Sequence, residues 1–236
     1  MPSTALGLLA VGFVLGLRHA LDVDHLAAVS TIVSQRRSLW SSSLVGAVWG
    51  LGHTASLLAV GVLVIGLHTA IPPAVAQTLE LGVAVMLIGL GANLLRTVLR
   101  GDTIHHHAHT HDGHHHVHPH VHPVGTGADV AHHHVLGAGR RPFLVGLMHG
   151  LAGSAGLMLV VLATIPTPTL AVAYLVVFGV GSIGGMVAMS ALLGVPLLLA
   201  SERFAHAELA VQSAAALGSI TVGVLLAWEM SAALLS

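Results

Sequence analysis

Long apolar stretches alternate with short polar breaks along this chain. Six stretches stand out: Thr4–Ser34, Ser43–Leu67, Ala74–Leu99, Pro142–Ile165, Thr169–Ala200 and Ala207–Leu234. A helix rising about 1.5 Å per residue needs roughly 20 apolar residues to cross a hydrocarbon core of about 30 Å. The breaks carry turn chemistry: Gln35-Arg36-Arg37-Ser38, Ile71-Pro72-Pro73, Ile165-Pro166-Thr167-Pro168 and Ser201-Glu202-Arg203. The pattern predicts an all-α integral membrane protein with six transmembrane helices. The longest stretches leave room for tilt or interfacial turns. A polar, low-complexity loop, Gly101 to Gly139, separates the third span from the fourth. The apolar start, Met1 to Leu17, lacks a basic n-region and reads as a retained first span rather than a cleaved signal peptide.

Composition agrees. Charged residues make up 7% of the 236 residues, against roughly 25% in a soluble domain. Mean hydropathy is +0.89. The net charge of −1, the scattered arginines and the lack of any lysine give no footprint for nucleic acid. With no cysteine, thiolate ligands, disulfides and Fe–S clusters are excluded.

The arginines set an orientation. Arg36 and Arg37 follow span 1, Arg96 and Arg100 close span 3, Arg140 and Arg141 open span 4, and Arg203 follows span 5. Alternating spans put all of these on one side. The opposite breaks, around Pro72-Pro73 and Pro166-Thr167-Pro168, are uncharged. The positive-inside rule then predicts a cytoplasmic membrane protein with both termini outside and the Gly101–Gly139 loop in the cytoplasm.

A short pattern recurs. Phe13-Val14-Leu15-Gly16-Leu17-Arg18-His19-Ala20-Leu21 matches Phe143-Leu144-Val145-Gly146-Leu147-Met148-His149-Gly150-Leu151, an offset of 130 (143 minus 13). Gly50-Leu51-Gly52 matches Gly179-Val180-Gly181 at an offset of 129. Three spans per repeat is an odd number, so the halves must be inverted, as in many secondary transporters. The expected organisation is a first three-helix repeat over 1–100, a loop over 101–140 and a second three-helix repeat over 141–236.

The chemistry lies in histidines. Fourteen of the twenty fall between His105 and His134, and the others include His19, His25, His53 and His149 inside predicted spans. Imidazole suits borderline divalent metals such as Ni, Co, Zn and Cu. The segment Arg18-His19-Ala20-Leu21-Asp22-Val23-Asp24-His25 holds five ionisable groups in eight residues, and intramembrane charge marks function. On an ideal helix at about 100° per residue, His19, Asp22 and His25 share an arc of roughly 120°. Asp24 then points elsewhere: it supports a ligand histidine, pairs with Arg18, or becomes a ligand if the span unwinds here. The plainer alternative is an interfacial turn after Leu17. His53 sits mid-span beside Gly50 and Gly52, which allow close helix approach. The repeat sets His149 opposite His19, while Asp22, Asp24 and His25 align with Ala152, Ser154 and Ala155. The candidate metal ligands are therefore His19, Asp22, Asp24, His25, His53 and His149. His68 and His206 lie near span ends and receive no role, and Glu80, Asn93 and Glu229 read as snorkelling or capping groups. Runs such as His105-His106-His107 bind metal as an affinity tag does, without fixed geometry, for capture, buffering or sensing.

The segment from Arg18 to His25 resembles the R-H-A-x-D-x-D-H signature of the nickel/cobalt transporter family. Leu51-Gly52-His53-Thr54 looks like that family's L-G-H-[ST] motif. The resemblance implies that His19, Asp22, Asp24, His25 and His53 take part in metal selection and transport. The second half departs from the larger permeases: His149-Gly150-Leu151-Ala152-Gly153-Ser154-Ala155-Gly156 stands in place of an acidic G-F-D-T-A-T-E motif. It is more similar to a short, six-span branch related to urease accessory transporters of the UreH type. The histidine-rich loop is also similar to nickel/cobalt efflux proteins of the same superfamily.

The expectation is a secondary transporter, not an enzyme, with Ni²⁺ or Co²⁺ as transported substrate and no prosthetic group. Its partners are the metal ion and the lipid bilayer, and a homo-oligomer stays open. Uptake is favoured over efflux. No G-x4-G-K-[ST] loop is present, so ATP is not used by this chain itself. A b-type haem protein is the competing class, but haem gives no reason for Asp22 and Asp24 beside the histidines. A metallohydrolase lacks H-E-x-x-H, and a retinal pigment lacks its lysine.

Overall fold

The structure is a computed structural model describing residues 2–36, 38–67, 71–100, 104–111, 114–121, 135–152, 165, 167–203 and 205–235. Its elements are α1 (Pro2–His19), α2 (Val23–Val33), α3 (Leu39–Leu67), α4 (Pro73–Arg100), β1 (Ile104–His111), β2 (His114–Val121), α5 (Val135–Ala152), α6 (Pro168–Arg203) and α7 (Ala205–Leu235). Proline opens α4 and α6, where its missing N–H costs nothing. The Thr167 hydroxyl caps α6 by accepting from the Leu170 N–H at 3.4 Å.

Four helices are long and apolar enough to cross a membrane: Leu39–Leu67, Pro73–Arg100, and the Pro168–Val195 and Glu208–Ala233 parts of α6 and α7. Ala5–His19 and Val23–Val33 together make a fifth, bent by 54°. Most of the fourth predicted span beyond Ala152 lies outside the described residues, so the sixth crossing has no structural description. Outward faces carry large apolar side chains such as Leu6, Trp40, Leu192 and Trp228, as lipid contact requires.

The first span, expected over Thr4–Ser34, is two helices with a break between them, the unwinding that is one of the readings open for Asp24. Leu21 N–H and Asp22 N–H bond three residues back, to Arg18 and His19, and close α1. Asp22 then takes extended backbone (φ −62, ψ 146) as the N-cap of α2, with Asp24 in the first turn. Asp-x-Asp is a helix-start signature, because acidic groups favour the positive end of the helix dipole. The short α2 is no surface turn: Ala28, Val29 and Val33 are fully buried and pack with Trp49, Val83, Leu87 and Met189. Broken backbone at membrane depth is tolerated when the surrounding protein encloses it.

Glycines set the helix crossings. A Cβ at Gly16 of α1 would collide with the Phe178 carbonyl of α6, and one at Gly181 of α6 with the Phe13 carbonyl of α1. A Cβ at Gly146 of α5 would strike the Trp49 carbonyl of α3, and one at Gly52 of α3 the Phe143 carbonyl of α5. Gly12 and Gly16 of α1 meet Tyr174 and Phe178 of α6 in turn, and Gly146 and Gly150 of α5 meet Trp49 and His53 of α3, so α1 runs parallel to α6 and α3 to α5. Between α3 and α6 they run oppositely, Gly46 meeting Met186 and Gly61 meeting Leu175. The α4–α7 pair is also antiparallel, with Gly91 on Ala216 and Gly223 on Ala84.

The membrane-spanning body holds helices and no strand among its described residues. The departure from an all-α chain is in the histidine-rich segment, expected as a loop. There β1 and β2 pair antiparallel, with Ile104 opposite Val121 and His111 opposite His114.

Candidate metal centre

The break after α1 brings two short stretches of one span against α3 and α5. His19 ends α1, Asp22 occupies the N-cap position of α2 without a side-chain capping bond, Asp24 and His25 occupy the first turn of α2, His53 lies in mid α3, and His149 in the last turn of α5. All four imidazoles converge. Ring centroids of His25 stand 4.1 Å from His149, 4.6 Å from His19 and 5.2 Å from His53. His25, His53 and His149 are fully buried.

Two overlapping sets of three could each hold a metal ion: His19, His25 and His53, and Asp24, His25 and His149. Within each set the ligand atoms lie within 4.8 Å of one another. His25 belongs to both. His19 Nε2 and His53 Nε2 are 3.2 Å apart. Two nitrogens on one metal at bonds of about 2.1 Å stand roughly 3.0–3.4 Å apart, so this pair already has the spacing of one edge of a coordination shell.

The carboxylates differ in role. Asp24 Oδ1 accepts from the His25 backbone N–H at 2.9 Å and lies 3.1 Å from His25 Nδ1. Asp24 Oδ2 accepts from His149 Nε2 at 2.8 Å. Asp22 instead bonds His19 Nδ1 at 2.7 Å, and its side chain is 54% exposed against 24% for Asp24. The ideal-helix reading is thus reversed: Asp24, not Asp22, is the inner carboxylate. The reason is the helix break, which resets the angular phase between His19 and the residues after Asp22. No contact of Asp24 with Arg18 is present among the described residues.

Three buried ring nitrogens, His25 Nε2, His53 Nδ1 and His149 Nδ1, have no hydrogen-bond partner among the described residues. An unsatisfied buried polar atom costs about 1–3 kcal/mol, which a metal ligand recovers on binding. Sequence reading missed two walls of the site. Trp49, fully buried, stacks on His25 at 5.7 Å and 14° and meets His149 edge-on at 5.8 Å. Phe178 of α6 lies 5.6 Å from His19. Trp49 precedes His53 by one helical turn, a spacing that would have flagged it. His68 and the side chain of His206 lie outside the described residues. A cavity of ≈ 500 Å³, lined in part by Thr31, Arg36, Asn93, Arg141 and Val145, is separate from the four imidazoles, and its two guanidiniums disfavour a cation.

Over 198 residues the chain is 33% identical to the urease accessory protein UreH of Bacillus sp. (strain TB-90), covering 84% of this chain and 81% of that one. The chain belongs to the UreH family. The similarity to that protein covers most of the molecule, well beyond the lengths of the segments Arg18–His25 and Leu51–Thr54. No family model and no solved structure matches. For this UreH-family chain the geometry above supplies the arrangement of the histidines.

Proposed function

We propose that this UreH-family chain is a secondary transporter that carries Ni²⁺, or Co²⁺, into the cell across the cytoplasmic membrane. One observation carries the reading: four imidazoles and a carboxylate, in two sets sharing His25, converge inside a bundle of apolar helices. The relative's printed role as a urease accessory protein fits supply of nickel, the metal of urease. His19, His25 and His53 receive the ion. Rotation of the His25 ring passes it to Asp24, His25 and His149, while Asp22 orients His19. The Asp24 charge offsets part of the cost of a divalent ion at membrane depth.

Six spans form two inverted repeats, 1–100 and 141–236, joined by the cytoplasmic segment 101–140, with both termini outside. The exchange of contacts supports this. Gly16 on Phe178 and Gly146 on Trp49 are one contact under the repeat offsets, as are Gly52 on Phe143 and Gly181 on Phe13. The helices matched by the repeat, α3 with α6 and α4 with α7, run antiparallel, as inversion requires. Alternating access is a rocking of one repeat against the other about these glycine crossings. The membrane potential, negative inside, favours entry by about 2.3 kcal/mol per charge per 100 mV.

Flux of ⁶³Ni²⁺ into proteoliposomes tests the proposal. Inward, potential-driven flux that is lost in His25→Ala supports it. Outward flux alone indicates efflux, and no flux of Ni²⁺ or Co²⁺ removes the transport reading.

A further inference from the structure

The histidine-rich segment holds a regularity that the transport site does not use. In an antiparallel ladder, residues directly opposite share a face, and every second residue returns to it. The register pairs His105 with His120, His107 with His118, His109 with His116 and His111 with His114. These four pairs alternate with Ile104–Val121, His106–Pro119, Ala108–Val117 and Thr110–His115. One face of the ladder is therefore histidine at every position. The other carries two histidines, 106 and 115, never opposite each other.

Two further features of the sequence agree with this register. The two residues between His111 and His114 are Asp112-Gly113, a pair strongly favoured by two-residue hairpin turns. In any two-residue hairpin, hydrogen-bonded and non-hydrogen-bonded pairs alternate outward, beginning with the pair that flanks the turn, which by this register is His111–His114. Pro119 then falls in a non-hydrogen-bonded pair, where its missing N–H breaks no ladder bond. The same pattern makes the all-histidine pairs the hydrogen-bonded ones.

We propose that this segment is a metal-coupled hairpin. Its histidine face takes up divalent borderline ions across the strands, and those ions fix the register. Opposed residues on one face have Cβ atoms about 4.5–5.5 Å apart, within bridging range of a single ion. Eight imidazoles fill roughly two four-nitrogen sites, or roughly four two-nitrogen sites completed by water. A lone two-stranded hairpin is marginal in water, so bound metal supplies the stability it lacks. The segment then differs from an unstructured tag: its capacity depends on which histidines are present, not on how many. The metal class rests on the proposed function, whereas the hairpin is tested without any transport readout.

The chain has no cysteine, so disulfide trapping in the detergent-solubilised full chain reads the register directly. Ala108→Cys with Val117→Cys pairs two opposite positions, and Ala108→Cys with Val121→Cys is the out-of-register control. Saturating Ni²⁺ is expected to speed disulfide formation at least tenfold in the first variant and not in the control. Equilibrium dialysis with ⁶³Ni²⁺ then compares His107→Ala/His118→Ala, a facing pair, with His106→Ala/His115→Ala, the same number of histidines removed. The first is expected to lower the number of ions held per chain and the second to leave it unchanged. Trapping that ignores Ni²⁺, equal trapping in the control, or equal loss in the two double variants overturns the proposal. None of these readouts changes if the chain proves not to transport nickel.

Discussion

Asp24 Oδ2 accepts a hydrogen bond from His149 Nε2 at 2.8 Å, across 125 residues of chain. This contact ties the first turn of α2 to the last turn of α5 and joins the two halves of the molecule at the histidine cluster. The same carboxylate holds His25 through its other oxygen. Asp24 thus hydrogen-bonds both buried histidines of the second candidate ligand set, and the predictions begin there.

Asp24→Asn keeps the shape but removes the charge and one acceptor geometry. Loss of a carboxylate that orients a ligand histidine ordinarily costs about 10–100-fold in metal affinity or activity. Asp24→Asn is expected to lower Ni²⁺ flux by that factor, and Asp22→Asn, at the half-exposed position, by much less. Initial rates in proteoliposomes check this. Equal losses would contradict the assignment of Asp24 as the inner carboxylate.

Trp49 reports on the site. It stacks on His25 at 5.7 Å and is fully buried, whereas Trp40 and Trp228 are each 78% exposed. Paramagnetic Ni²⁺ or Co²⁺ at the cluster should quench Trp49 emission. Titration of the detergent-solubilised chain should show saturable quenching, and Trp49→Phe should abolish most of it. Undiminished quenching in Trp49→Phe would place the ion elsewhere.

The glycine crossings predict a contrast in stability. At Gly146 an added methyl meets the Trp49 backbone, while at Gly82 nothing lies within 4 Å. Gly146→Ala is expected to cost about 1–3 kcal/mol by overpacking. Gly82→Ala should gain up to about 1 kcal/mol from reduced chain entropy. In a chain of this size each kcal/mol moves Tm by about 2–4 °C, so thermal unfolding in detergent should separate the two variants in opposite directions.

Orientation is open to a labelling test. Ser38→Cys and Ile71→Cys place single thiols at opposite ends of α3. In intact cells an impermeant maleimide is expected to label Ile71→Cys and to leave Ser38→Cys unlabelled. The reverse pattern would invert the topology and put the histidine-rich segment outside.

Some of this was legible from residue type alone. Histidine inside an apolar stretch is costly, so His19, His25, His53 and His149 declared themselves before any geometry, and the repeat linked the first to the last. Periodicity failed between His19 and His25. A 100° rotation per residue holds only along an unbroken helix, and no glycine or proline marks the break at Ala20–Asp22. The signal was subtler: Asp22 and Asp24 together form a helix start, and reading them as such would have placed Asp24 inward. Trp49 was passed over because an apolar residue in an apolar span carries no contrast. In the histidine-rich segment, attention to the number of histidines hid their period of two, which becomes visible once His111 is set opposite His114.

The most direct measurement is potential-driven ⁶³Ni²⁺ flux into proteoliposomes containing the intact chain, His25→Ala, or a deletion of Ile104–His134. The account predicts flux in the intact chain, at least a tenfold loss in His25→Ala, which removes the imidazole shared by both ligand sets, and retained flux in the deletion. Unchanged flux in His25→Ala, or flux that disappears only with the deletion, would contradict a transport site built at the junction of α1, α2, α3 and α5.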